Sequence, residues 1–218
     1  MSAPASRLSA LRQLLSERFP QAARPTTAAL PTGISQIDDS SGGGLPRHAL
    51  TELVCAASSC GSQLFIGQLL HAVRVHGGRV VLIDASDSFD PASSPPDDLR
   101  CLIWLRCGQT TEAMAVADLF ARDANLALIL LDLRCVAPAE LRRIPARTWY
   151  RLQRAIEQTD AAFLVLTPTA SVPSAQLRLT LDRSLASTAL ASPRPDLTAT
   201  LTFSLQRQRL SRTQAVES

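Results

Sequence analysis

The 218 residues carry a net charge of +3 at pH 7, with 46% hydrophobic and 19% charged residues. That balance fits a compact interior and excludes wholesale disorder, and so mild a charge does not announce a nucleic-acid binder through bulk electrostatics. All 22 residues of the Lys+Arg count are arginine, so the chain has no lysine.

Residues 6–20 read as an amphipathic helix, with Leu8, Leu11, Leu14, Leu15 and Phe19 on one face and Ser6 as N-cap. Arg7, Arg12, Glu17 and Arg18 interrupt its leucines before any apolar stretch of signal length, so no secretory leader is expected. Residues 21–29 have linker chemistry. From Leu30 to about Val172, apolar runs at Leu50–Val54, Arg79–Asp84, Cys101–Leu105, Leu126–Asp132 and Ala161–Thr167 read as strands. Helical patterns lie between several of them, at Gln63–Val75, Thr111–Asp123 and Arg147–Gln158. Continuous apolar strands interleaved with helices imply an α/β fold whose mostly parallel sheet is covered on both faces. A loop rich in Pro and Ser, Asp90–Asp98, follows the second strand. Ser174–Arg183 and Leu197–Leu205 alternate apolar and polar residues, which suits strands on a sheet edge, and Gln206–Ser218 is a basic, then polar tail. The expected division is an N-terminal helix (1–24), a core (25–190), and a C-terminal strand with a basic tail (191–218). No apolar run approaches the roughly 20 residues of a membrane span. The five cysteines form no CxxC pair and His48, His71 and His76 are scattered, so reduced thiols rather than a metal site are expected.

The segment Leu50–Val54, Cys55-Ala-Ala-Ser-Ser-Cys-Gly-Ser62 and Gln63–Val75 is laid out as strand, small-residue loop and helix, the plan of a phosphate-binding loop. A loop of the form G-x-x-x-x-G-K-[ST] uses glycines so that backbone N–H groups wrap the phosphates, and a lysine to reach the β- and γ-phosphates. Here Cys55 and Cys60 hold the glycine positions and Gly61 holds the lysine position.

In this order, the landmarks of residues 31–183 resemble the ATPase core of RecA recombinase. Pro31-Thr-Gly33 with Ile37-Asp38 and Gly42-Gly-Gly-Leu-Pro46 is similar to the segment that leads into that core. Thr51-Glu-Leu-Val54 with Ser58-Ser59 is similar to the strand and loop that bind the triphosphate. Val81-Leu-Ile-Asp84-Ala85 with Asp90-Pro91 resembles the next strand and turn, and Leu128-Ile-Leu-Leu-Asp132 the Walker-B strand, whose aspartate holds Mg²⁺ through water. The departures fall on the chemistry. Besides the missing lysine, Ser86 stands where a glutamate polarises the attacking water, and a serine hydroxyl is no general base at neutral pH. Pro168 replaces a glutamine that couples nucleotide state to the DNA-binding loops. The second of these loops shrinks to Thr169–Ser174, while the first survives as arginine-rich Ala137–Arg147.

A RecA-like protein with these losses most resembles the ImuA family. Cys101-Leu-Ile-Trp-Leu-Arg106, Glu112-Ala-Met-Ala-Val-Ala-Asp118 and Leu177-Arg-Leu-Thr-Leu181 support that assignment. The resemblance implies a non-catalytic cytoplasmic adapter of bacterial DNA-damage-induced translesion synthesis, nucleoid-associated when acting. Its implied partners are RecA, the inactive Y-family polymerase homologue ImuB and an error-prone C-family DNA polymerase. A nucleotide-binding regulator and a direct DNA-binding protein are the alternatives. Ser58, Ser59, Gly61, Ser62, Gln63 and Asp132 form the vestigial nucleotide pocket. Asp132 is there either a magnesium ligand or a polar strand end satisfied by hydroxyls such as Ser62. The adapter implies no cofactor, and the regulator implies ATP with Mg²⁺.

Two surfaces remain. Arg134, Arg142, Arg143, Arg147, Arg151 and Arg154 surround Trp149 and Tyr150, and on a helix Arg147, Arg151 and Arg154 share a face. Such a stripe grips phosphates, with aromatic rings stacking on bases, or docks an acidic protein surface; otherwise it is a solvated face with Trp149 or Tyr150 turned inward. Arg207 and Arg209 extend the candidate surface into the tail. Leu8, Leu11 and Leu15 are the candidate helix for self-association or a partner, or else pack on the chain's own domain.

Overall fold

The computed structural model describes residues 29–208. Strands β1 (Ala29–Leu30) and β2 (Leu45–Pro46) pair antiparallel around helix α1 (Ser35–Ser41). The Asp38 carboxylate accepts from the N–H groups of Thr32 and Gly33 and from the Thr32 hydroxyl, which fixes the turn ahead of α1. The rest builds on a seven-stranded sheet in the order β5-β4-β6-β7-β3-β8-β9. These strands are β3 (Leu50–Cys55), β4 (Val80–Asp84), β5 (Leu102–Arg106), β6 (Leu128–Asp132), β7 (Ala162–Thr167), β8 (Leu177–Leu181) and β9 (Ser204–Gln208). All neighbours run parallel except β8 and β9. The inner strands β4, β6 and β7 are buried at every position, as continuous apolar runs between two helical layers demand.

On one face, Phe65, Ile66, Leu69, Leu70 and Val73 of α2 (Ser62–Val75) pack on Leu53, Leu82, Leu130 and Leu164. On the other, Ala113, Met114 and Ala117 of α3 (Thr110–Phe120) and Trp149, Leu152 and Ile156 of α5 (Ala146–Ile156) cover Ile83, Ile129, Phe163 and Val165. A one-turn helix α4 (Pro138–Leu141) precedes α5. Buried Gln153 of α5 accepts from the Leu50 N–H and donates to the His48 carbonyl, so this helix satisfies the backbone where β3 begins.

The predicted strands and helices of the core lie where expected, with ends that coincide or shift by at most three residues. Two expectations change. Leu197–Leu205 is not one strand: helix α6 (Arg194–Ala199) occupies its first part, with a proline in its first turn, and β9 begins only at Ser204. The strand expected within Ser174–Arg183 is not on an edge either. It is β8, hydrogen-bonded on both sides, and β9, which takes in Gln206–Gln208 of the expected tail, forms the edge. The N-terminal helix, with Leu8, Leu11 and Leu15, and Arg209 lie outside the described residues.

Candidate functional site at the carboxyl ends of the strands

Parallel sheets present ligands at the carboxyl ends of their strands, and here β4 and β6 end side by side, with β7 between β6 and β3. Asp84 and Asp132 are register partners on β4 and β6, with 0% and 1% of their surfaces exposed. Their carboxylates are used differently. Asp84 accepts from the N–H groups of Ser86, Ser88 and Phe89 and so shapes the turn after β4. That turn delivers the Ser88 hydroxyl, which donates to Asp132 Oδ2 at 3.1 Å. Ser86 contributes its backbone to this turn.

Asp132 itself faces Arg134. The chain turns back after β6, and the Arg134 guanidinium donates from Nε to both carboxylate oxygens, at 2.9 and 3.0 Å, and from Nη2 to Oδ2. Its Nη1 donates to Ser62 Oγ at 2.6 Å, and Nη2 also reaches the Gln63 side-chain oxygen and Ser88 Oγ at 3.5 and 3.4 Å. Only 11% of the Arg134 side chain is exposed and none of Asp132. Burial opposes the guanidinium's charge, but the hydrogen bond and charge of Asp132 outweigh it and raise the arginine's pKa. An internal cation thus links the aspartate of β6 to the first residues of α2. Of the two expectations for Asp132, the polar strand end satisfied by a hydroxyl describes it, but that hydroxyl belongs to Ser88; Ser62 is instead a partner of Arg134, which also satisfies Asp132. Arg134 leaves the downstream arginine cluster with which sequence reading grouped it.

The loop between β3 and α2 is also covered. Ser184 Oγ donates to the Ser58 carbonyl at 2.7 Å, and the Leu185 N–H to the Ser59 carbonyl at 3.0 Å. Gly61 has φ +83°, and a Cβ added there would run into Leu201 Cδ2. A side chain at the lysine position therefore meets both an unfavourable backbone and an occupied space. Gln63 donates to the Asp90 carbonyl and Ser93 Oγ, tying the helix start to the Pro/Ser loop. These residues do not fit a triphosphate with Mg²⁺: Arg134 occupies the carboxylate such an ion would need, and Leu201 stands against the Cβ that a lysine at position 61 would add.

Glu52, which sequence reading passed over, anchors the short loop after β7. Its side chain, 0% exposed, accepts from Thr167 Oγ1, from the N–H groups of Ser171 and Val172, and from Arg178 Nε at 2.6 Å. Arg178 donates onward to the Val172 carbonyl at 3.0 Å. A glutamate inside an otherwise apolar strand was the signal: a carboxylate on a buried strand needs a cation and several donors. Pro168 sits at the end of β7, just ahead of this pinned turn.

Arg142, Arg143, Arg147, Arg151 and Arg154 are all exposed on and before α5. Trp149 is buried at 1% exposure while Tyr150 is 49% exposed, so the outer face carries one aromatic ring among arginines. Arg151 donates to Asp118 of α3 at 2.9 Å. Arg207 is half-buried and donates to the Pro173 carbonyl at 3.2 Å, so it braces the loop rather than joining the stripe. Among the described residues no group of three His, Cys, Asp or Glu side chains is placed to hold a metal ion, and no helix is long and apolar enough to cross a membrane.

No protein-family model matches the chain. Over 117 residues it is 30% identical to "Protein RecA" of Picosynechococcus sp. (strain ATCC 27264 / PCC 7002 / PR-6), a match covering 53% of this chain and 33% of that relative. Over 103 residues it is 31% identical to "DNA repair protein recA homolog 1, chloroplastic" of Arabidopsis thaliana, covering 46% of this chain and 23% of that one. The chain therefore matches a third or less of the length of these relatives.

Proposed function

We propose that this chain, a RecA-like α/β core, is a non-catalytic adapter in DNA-damage-induced translesion synthesis. Its surfaces hold an inactive Y-family polymerase homologue of the ImuB kind and RecA, and so bring an error-prone C-family polymerase to damaged DNA. The similarity to RecA supports a DNA-related role; the finer assignment rests on the resemblance to the ImuA family. One observation carries the loss of catalysis: the Arg134 guanidinium sits between Asp132, Ser62 and Ser88, where an ATPase would need a metal ion and phosphates. A protein whose own side chain neutralises the site needs no nucleotide to stabilise the arrangement, which suits a constitutive docking platform.

Two measurements test this. Isothermal titration of the purified chain with ATP and Mg²⁺ should show no submillimolar binding, and the chain should show no turnover; either one would favour the nucleotide-binding regulator. The chain should also retain RecA or the polymerase homologue in a pull-down, equally with and without ATP, and failure to retain either removes the adapter role. A second reading, direct DNA binding, is favoured by exposed Tyr150 among Arg147, Arg151 and Arg154. Single-strand binding that falls steeply with salt and is lost in the double variant Arg147→Glu/Arg154→Glu would establish it.

A further inference from the structure

The segment between β8 and β9 is held firmly near its two ends and loosely in its middle. At the near end, Ser184 Oγ and the Leu185 N–H donate to the Ser58 and Ser59 carbonyls. At the far end, the Phe203 carbonyl accepts from Gln36 Nε2 at 2.9 Å and its N–H donates to Gln36 Oε1 at 3.1 Å. The Phe203 ring also lies 5.1 Å from that of Phe65. Between these anchors run a 3₁₀ turn (Ser187–Ala191) and α6, which lies on α2. Of the side chains described in residues 186–200, only Leu197 is buried, so little apolar area holds this stretch down.

The charged group that the stretch inserts is poorly met. The Arg194 guanidinium enters a notch in α2 where Gly67 has no Cβ: a methyl added there would overlap Nη2 and stand 3.5 Å from Ser94 Oγ. Arg194 Nη2 and Ser94 Oγ are both buried and, among the described residues, have no hydrogen-bond partner. The Asp98 carboxylate contributes a favourable charge, but its oxygens are committed elsewhere. They accept from Arg74 Nε at 2.6 Å and lie 3.2 and 3.3 Å from His71 Nδ1. Burying a donor without a partner is unfavourable, and more so on a charged group. Opening the stretch returns that donor to water at the loss of one buried leucine.

We propose that residues 186–200 form a strap that swings off α2 as a unit while both anchors stay closed, the orphaned Arg194 donor in the Gly67 notch biasing it toward the open form. Opening uncovers the α2 face around Gly67 together with Ser94 of the Pro/Ser loop. The loop from Cys55 to Ser62 stays covered, because Ser184, Leu185 and Leu201 lie outside the strap. Local opening of this kind needs less free energy than global unfolding and shows in amide exchange.

The test is amide exchange of the full chain, read residue by residue by NMR and corrected for intrinsic rates. The Leu197 and Thr200 amides, hydrogen-bonded inside α6, should exchange about tenfold or more faster than those of Leu185 and Phe203 at the anchors. Arg194→Met removes the orphaned donor and keeps an apolar stem in the notch, so these two α6 amides should slow by about tenfold. Leu197→Ala removes the one buried contact, so the Thr200 amide should speed up by about tenfold while Leu185 and Phe203 stay unchanged. Exchange of the α6 amides at the rate of the anchors overturns the strap, as does a Leu197→Ala chain in which anchors and α6 accelerate in step. Exchange that is unchanged or faster in Arg194→Met overturns the part given to Arg194.

Discussion

Arg134 is a single side chain that closes a whole site, so its removal has a defined cost. Arg134→Ala leaves the fully buried Asp132 carboxylate without its cation, and we expect a loss of about 3–5 kcal/mol in denaturant unfolding. Replacing both partners, in Arg134→Met with Asp132→Leu, should recover most of that loss, because the penalty lies in the orphaned charge rather than in the missing attraction. The Cys60 thiol, whose thiolate is favoured first by the Cys55 side chain and then by the N–H and hydroxyl of Ser62 against the effect of burial, gives a second prediction at this scale. Cys60 is lowered from 9.0 to about 6, so between these values the folded state holds fewer protons than the unfolded one, and stability rises with pH. The contribution is lost as pH falls through about 6. Above the ordinary thiol value the sign reverses, because Cys55, pushed up, keeps its proton while its unfolded counterpart releases it. Unfolding midpoints compared for the wild type and Cys60→Ser should therefore diverge most near pH 9, with the wild type gaining from pH 6 upward.

At the scale of the elements, the turn after β7 is held by one buried residue. Glu52 receives two backbone N–H groups of the turn and the Arg178 guanidinium together, so it sets the loop and β8 in one step. Glu52→Ala should cost about 3 kcal/mol or more and raise hydrogen exchange at Ser171 and Val172 above that of the remaining sheet amides. If those two amides exchange unchanged, the carboxylate does not pin the loop. Helix α5 divides its labour. Trp149 fills the core, so Trp149→Ala should cost about 3–5 kcal/mol. The exposed Arg151–Asp118 pair, by contrast, is worth at most about 1 kcal/mol, and Arg151→Ala should leave stability near that of the parent chain.

Across the whole molecule, the segment after β8 decides what the loop can be. It crosses the Cys55–Ser62 loop, seats Leu185 and Leu201 beside Gly61, and returns as β9 to cover the β8 edge. Restoring the missing lysine by Gly61→Lys should thus destabilise the protein without restoring ATP turnover, since the residue would sit at positive φ against Leu201. Measured turnover in that variant would show that the segment yields and that the site keeps a latent competence.

Composition and pattern alone determined the parallel core. Strands such as Val80–Asp84 and Leu128–Asp132 are apolar along their whole length, and only a sheet buried on both faces uses such runs. The absent lysine and the cysteines at glycine positions were equally plain, because a missing residue type needs no structure to be noticed. Strand order was not, nor the fate of Leu197–Leu205, where Pro195 in the first turn starts a helix that the alternation of the residues did not announce. The tertiary structure alone placed Arg134: nothing in the stretch from Asp132 to Arg143 says which arginine turns back. Its direction is set by Ser62, 72 positions away in the chain, and by the turn that Asp84 shapes around Ser88. A strand's burial is written in its own residues, but the partner of a buried charge is written in residues that only the fold brings beside it.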